Sequence, residues 1–454
     1  MAKFKIILLH PQTRKQRVAL YDNMTSALTD EQGQRLAPHI NTVPQPDAPV
    51  VSRETPLGKT SPRVLKISLG LSCNYECEYC SQRFVPRAGE TRPDSVQSFM
   101  DGLDGWVKQP PEKIELWGGE PFVYIKTMKP LAEALRTKYP GVHLSVITNG
   151  SLLTPEINQW LDEMGFSVGI SHDGPGQHVR GPDPLEDAEK RAAILDLYQR
   201  LNPQGRISFN TMMNRHNISR AAVQKFFQEL TGDERVPIGE GSFVDAYDEG
   251  GLANSLRAAE QLPYRNRAFG EMRSGQAGNF GMIREKTAGF VNSIRVGRRA
   301  ESLGQKCSMD DPDKIAVDLT GNVLTCQNVS AKAFAPNGES HKIGHVSDFA
   351  NIKLKTATHW SKREDCPNCP MLQICQGSCM FLEGPLWDAS CDNAFSDAVP
   401  VFAAGIEFLT GFVPVYIDGP QREDRMDIFG FVRPGPLNAA DRSPKRFPIR
   451  VVAV

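Results

Sequence analysis

From residue 64 onward, short apolar runs alternate with segments whose apolar residues recur every three or four positions. The runs at 64–69, 113–117, 143–147, 167–171, 206–212 and 236–243 have strand length, and the stretches at 95–108, 125–138, 154–164, 185–200 and 219–230 carry the helical period. Thr154, Pro155 and Glu156 make a helix start, with Thr as the cap and Pro in the first turn, where its missing N–H costs nothing. Six alternating strand–helix units predict an α/β fold: a parallel sheet with right-handed crossovers, curled into a full or partial barrel. Functional groups on such a barrel belong on the loops that follow the strands.

The flanks differ in texture. Residues 1–62 form a lead-in with short strands expected at 4–9 and 18–21. Pro38, Pro44, Pro46, Pro49, Pro56 and Pro62 then mark a linker. Residues 250–303 read as a helical connector, 304–395 as a cysteine-rich unit and 396–454 as a tail rich in Pro and Gly. The most membrane-like stretch, 398–417, contains Pro400, Glu407 and Pro414 and reads as buried packing rather than a span.

Of the 454 residues, 40% are hydrophobic and 23% charged, with a net charge of −1, so no global field favours nucleic acid or an anionic membrane. The short basic stretch at Ser443, Pro444, Lys445 and Arg446 reads as a solvated end. Only four consecutive apolar residues precede His10 and Pro11, too few for an export signal. A cytoplasmic location is therefore expected. In that reducing setting the ten cysteines point to metal or thiolate chemistry before disulfides.

Cys73, Cys77 and Cys80 lie together just after the first strand of the alternating region. Three thiolates on one loop can hold three corners of an iron–sulfur cube, leaving one iron open, since four cysteines are the usual complement. A zinc site or three buried thiols are the alternatives, although a structural zinc wants four ligands and this loop has no His. The other seven are Cys307, Cys326, Cys366, Cys369, Cys375, Cys379 and Cys391. Cys366, Cys369, Cys375 and Cys379 could make one zinc site, which would leave Cys307, Cys326 and Cys391 without a role. Residues 315–319 and 323–325 read as a hairpin that brings Cys307 and Cys326 together.

The C-x₃-C-x₂-C loop, with Tyr79 before its last cysteine, resembles the signature of the radical SAM superfamily. Gly118-Gly119-Glu120 after the second strand and Ser171-His172-Asp173-Gly174-Pro175 after the fourth resemble further motifs of that family, in the same order. The resemblance implies a partial (β/α)6 TIM barrel over 63–249. It also implies that an open iron chelates the methionine part of S-adenosylmethionine (SAM), whose reductive cleavage gives a 5′-deoxyadenosyl radical. By the same resemblance Gly118, Gly119, Glu120, Asn149, Ser171, Asp173 and Asn210 would contact SAM. Arg180 is either a further contact or a surface charge.

The later cysteines follow C-x₁₃-G-x₄-C, with Gly321 as the glycine, then C-x₂-C-x₅-C-x₃-C and a final C. This is similar to the SPASM domain, a cysteine-rich unit with a β-hairpin and short helices that holds two auxiliary 4Fe–4S clusters. The resemblance assigns Cys307, Cys326 and Cys379 to one and Cys366, Cys369, Cys375 and Cys391 to the other, for three clusters in all. The fourth ligand of the three-cysteine cluster stays open.

SPASM enzymes act mostly on peptides or proteins, which implies a peptide or protein substrate and a reducing partner such as flavodoxin or ferredoxin. The expected activity is hydrogen abstraction during modification or cross-linking of a ribosomally made peptide. Formylglycine synthesis is the alternative, weakened because enzymes of that type carry Asp as a base after the cysteine matching Cys326, where this chain has Gln327. A radical enzyme acting on a small molecule, and an electron carrier that makes no 5′-deoxyadenosine, are the other readings. No catalytic side chain is nominated; Asp245, Tyr247 and Asp248 are candidates for the barrel mouth, and Trp360, Phe381 and Trp387 for shielding the clusters.

Overall fold

The computed structural model describes residues 2–43, 46–87, 91–356 and 358–431. Pro44 and the basic stretch 443–446 lie outside them. The strands in chain order are β1 (Lys3–Leu9), β2 (Gln16–Asp22), β3 (Leu28–Thr29), β4 (Leu57–Gly58), β5 (Val64–Ser68), β6 (Lys113–Trp117) and β7 (His143–Thr148). They continue as β8 (Ser167–Ser171), β9 (Ile207–Asn210), β10 (Lys314–Asp318), β11 (Asn322–Leu324), β12 (Lys342–His345), β13 (Lys353–Leu354) and β14 (Val413–Asp418). Helices α1 (Ser95–Gly102), α2 (Ile125–Lys138), α3 (Pro155–Glu163), α4 (Ala188–Leu201) and α5 (Arg220–Thr231) alternate with β5 to β9, as the periodicity predicts.

Among the described residues the central sheet has eight strands, in the order β12-β11-β10-β5-β6-β7-β8-β9. Neighbours from β10 and β5 through to β9 run parallel, so the fold is α/β with a partial TIM barrel. Buried pairs such as Leu65 and Ile67, Ile114 and Leu116, and Val168 and Ile170 put one face of each strand in the core. The helices cover it with stripes such as Met128, Leu131 and Leu135 of α2. Helix α3 starts where its cap predicts, with the Thr154 hydroxyl accepting from the Ile157 N–H.

The sixth strand, expected at 236–243, is reduced to isolated parallel bridges, Phe209 to Ile238 and Met213 to Phe243. Pro237 has no N–H for a ladder, and Gly239 and Gly241 offer no side chain to the sheet. The opposite edge is extended instead: β10 pairs in parallel with β5, matching Lys314 to Val64 and Asp318 to Ser68. The expected hairpin therefore joins the barrel sheet. Its turn needs a glycine at Gly321, where φ is +86° and a Cβ would stand 2.6 Å from His345 Nε2.

Residues 250–303 hold α6 (Glu249–Ala253), α7 (Ala258–Arg273) and α8 (Gly281–Val296), followed by α9 (Leu372–Cys375) and the 27-residue α10 (Gly384–Thr410). A second sheet, β14-β1-β2-β3, lies against α8 and α10, where Tyr21, Phe290 and Phe402 pack ring against ring. The apolar stretch 398–417 divides between α10 and β14 and buries Val399, Phe402, Ile406 and Ile417. No helix among the described residues is long and apolar enough to cross a membrane.

Candidate functional site

The loop that follows β5 carries Cys73, Cys77 and Cys80, all half-buried. The turn after β6 is laced to it through the backbone: the Gly119 N–H donates to Gly70 O and the Glu120 N–H to Ser72 O, both at 3.0 Å. Gly119 permits this approach, because a Cβ there would lie 2.5 Å from Ser72 O and 2.6 Å from Leu71 O. The Tyr75 N–H donates to Cys73 Sγ at 3.3 Å and the Gln82 N–H to Cys80 Sγ at 3.4 Å. Burial pushes the Cys77 thiol up to about 11, against the opposing pull of Arg180.

Two carboxylates from the motifs are buried within this frame. Glu120, 1% exposed, accepts from the Phe122 N–H, the Thr148 hydroxyl and the Asn149 N–H at 2.8–3.1 Å. It braces the ends of β6 and β7. Asp173 accepts from the Tyr79 hydroxyl, from Arg180 at 3.4 Å and from the Met212 N–H at 2.9 Å. Arg180 also donates to the Tyr79 oxygen at 3.0 Å, so it belongs to a buried cluster beside the cysteine loop. Asn149 donates to Asn74 Oδ1 at 2.9 Å. Ser171 is half-buried at the end of β8. Asn210 lies between two glycines, since a Cβ on Gly169 would meet its Nδ2 at 2.3 Å and one on Gly239 its Oδ1 at 2.6 Å.

The seven later cysteines fall into two groups. Cys307, Cys326 and Cys379 line one cleft of about 450 Å³, together with Met212, Asp245, Tyr247, Lys306 and Gln327. Burial pushes Cys379 up to about 12, and Cys307 and Cys326 add to the rise. Asp245 is held by Lys306 at 3.1 Å and by the Ser378 hydroxyl at 2.7 Å. Asp248 instead caps α6 through the Gly251 N–H. Cys366, Cys369, Cys375 and Cys391 line a second, smaller cavity with Trp387, Phe395 and Arg425. Trp360, Phe381 and Trp387 are all buried. Among the described residues no three His, Cys, Asp or Glu side chains converge on a point that would hold a single ion.

The donor chemistry fits iron–sulfur groups: thiols in sets of three, three and four, the last walled by Met371, Leu372, Trp387 and Phe395. The motif spacing does not disclose Asn74, the pairing of Tyr79 with Asp173, or a link from Trp117 Nε1 to Asn328 Oδ1 at 3.0 Å. That last bond ties the turn after β6 to the loop beyond Cys326. Arg425 escapes notice as well, because a single basic residue near the end of the described chain carries no pattern.

Residues 67–229 match the radical SAM superfamily. The radical SAM cyclopropyl synthase TigE of Paramaledivibacter caminithermalis is 24% identical over 70% of this chain and 68% of its own length. The cysteine-type anaerobic sulfatase-maturating enzyme of Clostridium perfringens is 21% identical over 68% of this chain and 85% of its own. The solved structure of native anSMEcpe with bound AdoMet and Cp18Cys peptide superimposes with a TM-score of 0.54 at 19% identity, covering 77% of this chain and 99% of that one. The likeness is one of fold.

Proposed function

We propose, from the premise that this chain is a radical SAM enzyme with a SPASM-like cysteine-rich region, that it modifies a peptide or protein substrate by hydrogen abstraction. The product we favour is a cross-link within a ribosomally made peptide. A 4Fe–4S cluster and SAM, when bound, supply the 5′-deoxyadenosyl radical. Cys73, Cys77 and Cys80 would hold that cluster. Backbone groups of Gly118 and Gly119, together with Ser171, Asn149 and Asn210, would face the SAM. Glu120 and Asp173 would act one step back, fixing the turn after β6 and Tyr79 so that the loop keeps its shape. Cys307, Cys326 and Cys379 would hold one auxiliary cluster, and Cys366, Cys369, Cys375 and Cys391 the other.

The observation that carries the reading is the cleft. Its wall combines thioether and aromatic surface from Met212, Phe243 and Phe381 with the Asp245–Lys306 pair, a mixture suited to a peptide. It is also coupled to the cysteine loop. Met212 lines the cleft while its N–H binds Asp173, which in turn accepts from Tyr79 beside Cys80. Substrate and radical source would thus share one rigid frame, which positioning of a reactive species requires.

Sulfatase maturation is a second reading, supported by a fold likeness that spans nearly all of the anSMEcpe chain. Gln327 weighs against it. It lines the cleft beside Cys326, and its amide takes no proton at neutral pH. The test is anaerobic reconstitution, followed by assay of 5′-deoxyadenosine with SAM and dithionite for the wild type and a Cys73/Cys77/Cys80→Ala variant. We expect about twelve irons per wild-type chain and no 5′-deoxyadenosine from the variant. Peptides encoded by neighbouring small reading frames should emerge lighter by two hydrogens per cross-link. Conversion of a sulfatase-derived Cys peptide to formylglycine would favour the second reading, and a chain that binds zinc and leaves SAM intact would refute both.

A further inference from the structure

Beyond β14 the chain turns back and presents Arg425 to the cavity of Cys366, Cys369, Cys375 and Cys391. The turn is pinned to β14 by the Ile417 N–H, which donates to Met426 O at 2.9 Å, and by Gln421, which donates to Ile417 O at 2.6 Å. Arg425 is 3% exposed. Its Nη2 donates to Cys391 Sγ at 3.3 Å and to Asp392 Oδ1 at 2.7 Å, and the guanidinium lies 4.7 Å from the centre of the Phe395 ring. Arg265 covers the same ring at 4.8 Å. The guanidinium is thus fixed by an anion and an aromatic face, with an N–H of Nη2 directed at sulfur. Arg363, near the same cavity, spends its Nη2 on the Cys379 and Leu382 carbonyls at 2.9 Å and points no such donor.

We infer that Arg425 is a positioning residue that raises the reduction potential of the auxiliary group held by the four cysteines, through its N–H to Cys391 and its buried positive charge. The inference rests on the four-cysteine assignment made above. An iron–sulfur group becomes more negative on reduction. A fixed cation and a hydrogen bond to a ligating sulfur both favour that state, and the surrounding apolar wall keeps water from screening either. No pattern in the cysteine spacing assigns Arg425 this role; it follows from the return of the chain beyond β14.

The experiment uses full-length protein carrying Cys73/Cys77/Cys80→Ala, so that only the auxiliary groups contribute. This parent is compared with Arg425→Met and Arg425→Lys by iron and sulfide analysis and by potentiometry followed with electron paramagnetic resonance. We expect one of the two auxiliary signals to titrate at a lower potential in Arg425→Met, the other to stay put, and Arg425→Lys to fall between. Equal potentials at equal iron content in all three chains overturn the inference. If Arg425→Met fails to hold its iron, Arg425→Lys decides alone: a lowered potential confined to one signal supports the role, and an unmoved one overturns it. If the parent's iron content is unchanged when Cys366, Cys369, Cys375 and Cys391 are replaced by Ala, the four-cysteine group does not form, and the inference falls with the assignment.

Discussion

Glu115 of β6 stands between Lys66 of β5 and Lys113, each 2.6 Å away. Burial alone would raise its carboxyl, yet the two ammonium groups hold it at about 2, below its ordinary 4.5. A carboxylate depressed on folding contributes stability that is complete above its unfolded value and is lost as pH falls through the folded one. Its share approaches about 3 kcal/mol at neutral pH as an upper figure. Urea unfolding of wild type and Glu115→Gln should therefore differ at about pH 7 and converge towards about pH 2; a gap that stays constant would refute the pairing. Charge type and motif position are legible in the sequence at this scale, while direction is not. Glu120 and Asp173 sit where the motifs place them, but nothing in the residue order reveals that their oxygens are taken by Thr148, Asn149, Tyr79 and Met212. Those partners come from other loops, and only the closed barrel brings them near.

Between elements, close approach of backbone to backbone sets the tolerances. Gly119 packs against carbonyls of Leu71 and Ser72 that no side-chain rotation can move aside. Gly119→Ala should displace the loop of Cys73, Cys77 and Cys80. The expected result is a fall from about twelve to about eight irons per chain, with 5′-deoxyadenosine formation lost and the auxiliary signals kept. Full iron content with normal SAM cleavage would show that the turn can yield. The five parallel strands β5 to β9 and the helices between them are readable from periodicity because each buries its own stripe. The sixth strand is misjudged because an apolar run is counted while the breaks in its ladder are not: Pro237, Gly239 and Gly241 withhold the donor and the side chains a strand needs. The pairing of β10 with β5 is invisible for another reason. A parallel partner 250 residues away leaves no local mark on either segment.

For the molecule as a whole, β14 closes the second sheet by pairing with β1, matching Ile6 to Ile417. Ending the chain after Thr410 would strip that partner from β1 and remove Arg425 as well. The truncated protein should elute as aggregates in size-exclusion chromatography, because an open apolar strand edge recruits other chains; a well-behaved monomer would show β14 to be dispensable. The same long-range pairings impose an order on biosynthesis. While the ribosome is still adding residues, β6 to β9 can assemble beside β5, but the other edge of β5 has no neighbour until β10 emerges. At roughly 5–20 residues per second that delay lasts some tens of seconds. β1 waits longer still for β14. The nascent barrel is thus born with a sticky flank, and a chaperone that shields β5 during translation would raise the yield of enzyme without touching its chemistry.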